Sequence, residues 1–144
     1  MRIVLAVAGL AALAAVAGCS SPPPAKPEPG TLVIGTAAVT VNDVDAGTTD
    51  AVTCTAAGAL TTITTGDAES GVTALVSNKG ELTAESVSIR NLGGFTGSYN
   101  AGLGGEAAVT MTGRTYAITG SAQGFATDKP SFRANGTFDI KVAC

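Results

Sequence analysis

The last thirteen residues of this chain alternate without a break. Phe132, Ala134, Gly136, Phe138, Ile140, Val142 and Cys144 fall on one side, and Arg133, Asn135, Thr137, Asp139 and Lys141 on the other. A period of two sends consecutive side chains to opposite faces of a strand, whereas a helix would scatter the same residues around its circumference. The segment is therefore predicted as a half-buried β-strand with Cys144 on its apolar face. A strand with one buried face needs a neighbouring strand to pair with and something to cover that face.

The partners are predicted to be other strands. From Thr31 onward, short runs of Val, Ile, Thr and aromatic residues recur between Gly, Asn and Asp clusters. Candidate strands lie at Leu32–Ile34, Val39–Val41, Val52–Thr55, Leu60–Thr64, Val72–Val76, Glu85–Arg90 and Phe95–Tyr99. Ser77-Asn78-Lys79-Gly80 reads as the turn between two of them. With Thr112-Gly113 as a hairpin loop, Val109 opposes Tyr116 and Ala107 opposes Ile118, so apolar residues meet on one face. Gly66 to Ser70 could open a short helix through Val76, but the Thr and Val content of the segment favours a strand. The predicted fold is all-β: an antiparallel β-sandwich or a small open barrel, formed by residues 31–144.

The N-terminus is of another kind. Arg2 is followed by an apolar run from Ile3 to Ala15, then Val16-Ala17-Gly18-Cys19-Ser20-Ser21. A basic start, an apolar middle and a small-residue site define a secretory signal. The cysteine just beyond it is the pattern of a bacterial lipobox, in which the Cys19 thiolate takes a diacylglycerol, a palmitate-type anchor, and the chain is cut before it. The apolar run is shorter than the roughly 20 residues that span a bilayer. Residues 1–18 are predicted as a lipoprotein signal peptide and 19–30 as a lipidated linker. Its Pro22-Pro23-Pro24, Pro27 and Pro29 forbid regular structure and make it a semi-rigid spacer. The expected location is the outer face of the cell membrane, in the cell envelope.

Cleavage leaves 126 of the 144 residues, enough for one domain with a core. Without Arg2, seven basic residues face eleven acidic ones, a formal net charge of −4. Such a chain has no basic run with which to neutralise phosphates, so no nucleic acid is expected as a partner. Of the three cysteines, Cys19 is claimed by lipid, which leaves Cys54 and Cys144. In an oxidising compartment these are expected to form a disulfide, the alternative being two free buried thiols. The bridge would close a loop of about 90 residues, worth on the order of 4 kcal/mol.

No catalytic or metal-binding residues are predicted, and no cofactor. The chain has no histidine, which removes Ser-His-Asp and Cys-His arrangements and ordinary zinc sites. Ser77 and Lys79 share a turn and do not make a nucleophile pair. Gly102-Leu103-Gly104-Gly105 precedes a strand, not a helix, and reads as a connection. Asp43, Asp45 and Asp50 around Gly47 resemble part of a calcium loop but lack its closing Glu, and read as a turn. Small inward residues, Ala107, Ala134 and Gly136, leave two readings: sheets in close approach, or a cavity for an apolar ligand such as an envelope lipid.

Four stretches resemble the mycobacterial lipoprotein antigen family of the LpqH and LppE type. They are Val16 to Ser21, Ala51-Val52-Thr53-Cys54-Thr55, Tyr116 to Gly124, and Phe138 to Cys144. The resemblance implies a surface-exposed, non-enzymatic envelope lipoprotein, with Cys19 the acylated residue that host Toll-like receptors recognise and Cys54 and Cys144 the family's cysteine pair. The short Pro-rich linker departs from the longer Thr- and Ser-rich segment of the family's best-known member.

Overall fold

The computed structural model describes residues 18–22 and 28–144. The signal segment up to Ala17 and linker residues 23–27 lie outside the described residues. Ten strands follow in order: β1 (Ala37–Val41), β2 (Val44–Thr49), β3 (Val52–Ala57), β4 (Leu60–Gly66), β5 (Gly71–Ser77), β6 (Thr83–Leu92), β7 (Phe95–Asn100), β8 (Ala107–Thr112), β9 (Thr115–Ala126) and β10 (Ala134–Ala143). Every pairing is antiparallel. The strands run β2-β1-β10-β9-β7-β6-β5-β4-β3 in one sheet, with β8 a further partner of β9. The fold is all-β, and of the two predicted architectures it is the barrel: a single sheet coiled until its ends, β2 and β3, come near without pairing.

The core is the concave face. Val39 and Val41 of β1, Ile63, Val72, Val87, Ile89, Phe95, Ile118 and the alternating Phe138, Ile140 and Val142 of β10 are all buried. On β6 the inward set changes phase, from Ala84 to Val87 and Ile89. The cause is a register shift between Leu75↔Ser86 and Val76↔Ala84, which leaves Glu85 as an extra residue. A bulge of this kind bends the strand, as closing a barrel requires.

Two-residue hairpins set several registers. Gly93 and Gly94 both have positive φ, 57° and 71°, between β6 and β7. This conformation matches the twist of the flanking strands and is open to glycine at little cost. Asn42 and Asp43, at φ 51° and 62°, do the same between β1 and β2. Where a turn between β1 and β3 was expected, the chain thus forms a hairpin and an additional edge strand, β2.

Three other expectations are corrected. The β8–β9 loop is Gly113-Arg114, with Thr112↔Thr115 and Val109↔Ile118 paired, two residues on from the expected register. Gly113 has φ 58° and takes the first central position, where a positive φ is needed and Thr112 would be strained. Because the shift is by two, the same side chains still face inward. Leu32–Ile34 is not a strand: it folds into a turn in which Thr36 N–H donates to the Val33 carbonyl. Leu32 N–H donates to the Thr115 hydroxyl, and Val33 and Ile34 are exposed. Finally, β10 starts at Ala134, and Phe132 is 71% exposed. Its place in the alternation is lost because Lys129 to Phe132 form a turn, with Phe132 N–H donating to the Lys129 carbonyl.

Of the helix and strand that competed through Val76, the strand is found, as β5, and Asp67 to Ser70 form a turn ahead of it. Asp67 Oδ1 accepts from the N–H groups of Glu69 and Ser70, both at 2.8 Å. These bonds, that from Ser70 foremost, hold the Asp67 carboxyl below the usual carboxylate range, helped by Arg90. A depressed pKa contributes stability that is present above the unfolded-state value and lost as pH falls through the folded one. Acidification from pH 5 to pH 2, which spans the ordinary carboxylate pKa of about 4, is therefore expected to lower the hydrogen-exchange protection of the Glu69 and Ser70 amides first, measured against the intrinsic exchange rate at each pH. Asp67→Asn should abolish that pH dependence, and pH-independent protection of these amides in the unsubstituted chain would contradict the assignment.

Candidate functional site

Three parts of the molecule are candidates for function: the two ends of the chain, the barrel's open seam, and a cleft on its outer face.

Cys19 is exposed and free. Cys54 and Cys144 are joined, with Cα atoms 6.0 Å apart and a sequence separation of 90. Cys54 belongs to β3 and Cys144 follows β10, and these strands are not hydrogen-bonded neighbours. The bridge thus fastens the sheet's free edge to a strand beyond the seam, where main-chain hydrogen bonds are lacking. Sequence reasoning missed a second hold on the same residue. Arg114, at the tip of the β8–β9 hairpin, donates from Nη2 to the Cys144 main-chain oxygen at 2.6 Å, and Cys144 N–H donates to the Arg114 carbonyl. A lone Arg in a turn carries no sequence signal for a partner 30 residues away.

At the seam, Val39, Ala46, Thr65 and Leu92 line an opening of about 190 Å³ between β1–β2 and the β4–β5 turn. The three small inward residues differ among themselves. Gly136 leaves no void, because a Cβ there would lie 2.8 Å from carbons of the Phe95 ring. Ala107 and Ala134 are half-buried at the core's margin.

The outer cleft, about 670 Å³, lies on the convex face between two loops. Its floor spans three adjacent strands: Ser98 of β7 pairs with Gln123 of β9, which pairs with Asn135 of β10. Leu103 rises from the loop after β7 and Phe132 from the loop before β10, 78% and 71% exposed. The topology makes this possible. β9 is twelve residues long, and one of its edges takes β8 along the first half and β7 along the second. The 101–106 connection must therefore cross beside the floor, anchored where Ser121 N–H donates to the Glu106 carbonyl. The residues expected in a connection, Gly102 to Gly105, are in that loop.

The predicted turn acids do not converge. Asp43 sits in the β1–β2 turn, and Asp45 Oδ1 accepts from Gly47 N–H at 2.7 Å. Among the described residues no three His, Cys, Asp or Glu side chains gather.

The family described as the Mycobacterium 19 kDa lipoprotein antigen matches residues 30–144, which is the whole barrel. The chain belongs to that family. A putative lipoprotein of Mycobacterium indicus pranii is 40% identical over an alignment covering all of both chains. Another, of Mycobacterium avium subsp. hominissuis, is 36% identical over 99% of this chain and 95% of its own. Lipoprotein LpqH of Mycobacterium tuberculosis is 34% identical over 74% of this chain and 67% of its own. Within the 19 kDa antigen family, the matched span begins at Gly30, so Cys19 lies ahead of it. The two putative lipoproteins, by contrast, align with essentially the entire chain, Cys19 included.

Proposed function

We propose that this protein is a lipid-anchored envelope lipoprotein that acts without catalysis, by displaying its barrel and its acylated N-terminus to host or envelope components. Residues 1–18 are removed as a signal peptide, Cys19 carries the lipid, and residues 19–30 hold the barrel of residues 31–144 outside the membrane. One observation carries the reading. Cys19, the cysteine left over from the disulfide, is exposed at the end of a small-residue run and directly ahead of a proline spacer. Membership of a lipoprotein antigen family and the lack of histidine add to it. The recognition of acylated relatives by Toll-like receptors extends to Cys19 under the same proposal.

Cys19→Ala, or globomycin treatment of the native bacterium, is expected to move most of the protein from the membrane to the soluble fraction. Undiminished membrane association would overturn the anchor.

The seam favours a second reading, carriage of an apolar ligand such as an envelope lipid. Its opening is lined by Val39, Ala46 and Leu92, and Val39 belongs to the buried core set. Native mass spectrometry of the protein purified from its own host separates the two: a stoichiometric lipid besides the anchor favours carriage, and its absence favours display alone.

A further inference from the structure

We propose that the outer-face cleft is a binding site for the sugar rings of a neutral glycan, independent of the lipid anchor.

The floor is built from strand registry. Ser98, Gln123 and Asn135 are direct cross-strand neighbours on three adjacent strands. Their side chains point outward, since the residues flanking Asn135 on β10 turn inward and Gly136 is buried. Adjacent strands lie about 4.8 Å apart, so the three groups form a row at that repeat. Asn100, two residues along β7 from Ser98 and on the same face, extends the row sideways. Amides and a hydroxyl each offer donors and acceptors together. None of these four side chains is hydrogen-bonded to another described residue, whereas Ser121 and Thr96, near them on β9 and β7, accept from the N–H groups of Glu106 and Asn91. Their capacity is therefore free for a ligand.

Apolar groups stand beside that row. Phe125 lies on the same face of β9, two residues from Gln123, and Phe132 and Leu103 form opposite walls. Apolar side chains that are exposed singly need no explanation, but several gathered around one cleft mark a ligand groove. A sugar ring matches this mixture: hydroxyls around its edge bond the amides, and its C–H face lies against an aromatic ring. The charge pattern narrows the choice of ligand. The cleft has one cation, Arg133, and no carboxylate, so it does not suit a metal ion or a basic peptide. The volume, about 670 Å³, is in the range of small-molecule sites and accommodates two or three rings.

The test uses the mature lipoprotein purified in detergent from its host. It is applied in one arm to cell-wall polysaccharide from the same bacterium and in another to an array of neutral host-type oligosaccharides. Binding in at least one arm is expected, with dissociation constants of about a millimolar per site, as befits a shallow polar site. Gln123→Ala and Asn135→Ala should each weaken it by about tenfold, and Phe132→Ala comparably, with unchanged melting temperature because none of the three supports the core. Thr62→Ala, outward on distant β4, should leave binding intact. Three results would each overturn the proposal: no binding in either arm, binding indifferent to all three variants, or equal displacement by inorganic phosphate, which would mark an anion site at Arg133.

Discussion

Cys54→Ser is expected to lower the stability of the barrel by about 4 kcal/mol, a fall in melting temperature of about 15 °C. Two effects combine. The bridge joins residues 90 apart, so its loss releases the unfolded chain from a long loop closure. In the folded state, β3 pairs with β4 alone, and its other edge faces the seam. Without the covalent tie, that edge and the last residue of the chain fray together, since Arg114 alone would then hold Cys144. Thermal melts with and without a strong thiol reductant check the cause. Reduction should lower the unsubstituted protein to the level of the variant and leave the variant unmoved. Hydrogen exchange should rise first in β3 and at the end of β10. A variant that melts within a degree or two of the parent would show that the seam is held by packing instead.

Phe95→Ala is expected to cost about 3–5 kcal/mol, the range for an aromatic removed from a core. Phe95 is 1% exposed, and its ring occupies the space above two glycines on different strands. A Cβ at Gly97 would come within 2.6 Å of the ring, and one at Gly136 within 2.8 Å. Glycine inside a strand ordinarily weakens it, so alanine would normally be an improvement there. Here the sign reverses. Gly136→Ala should destabilise by about 1–3 kcal/mol, because the ring is enclosed and cannot step aside. In the Phe95→Ala background the same change should be neutral or favourable, since the added methyl then enters the vacated space. A double-mutant cycle reads this coupling directly. Additive effects would mean that the ring and the glycine do not compete for the same space.

These two cases mark where sequence reasoning succeeds and where it stops. The alternation through β10 was legible because burying one face of a strand imposes a period of two on every residue. It failed at Phe132, where a turn held by hydrogen bonds to the Ala126 and Lys129 carbonyls overrides the pattern. The β8–β9 hairpin was legible to within two residues. The turn dipeptide was misjudged, but the hydrophobic parity that assigns each side chain to a face was kept. β2 was missed because Val44-Asp45-Ala46-Gly47-Thr48-Thr49 is mostly exposed and carries almost no apolar signal. It is a strand because the Asn42-Asp43 turn folds it onto β1. Gly136 illustrates the limit of composition: a small inward residue is compatible with a void or with a neighbour that fills it. The neighbour, Phe95, is 41 residues away in sequence and two strands away in the sheet.

By itself the sequence determined the β character of residues beyond the linker, the inward set of the C-terminal strand, and the chemical distinctness of Cys19 from the other two cysteines. All of these are local consequences of residue type and spacing. Only the tertiary structure decided that the sheet coils into an open barrel, that the Cys54–Cys144 bridge expected from the sequence crosses its seam, and that Ser98, Gln123 and Asn135 form one row between Leu103 and Phe132. Each of those facts depends on which strands become neighbours. Neighbours are chosen by the joint packing of faces far apart in the chain, which no single stretch of residues encodes.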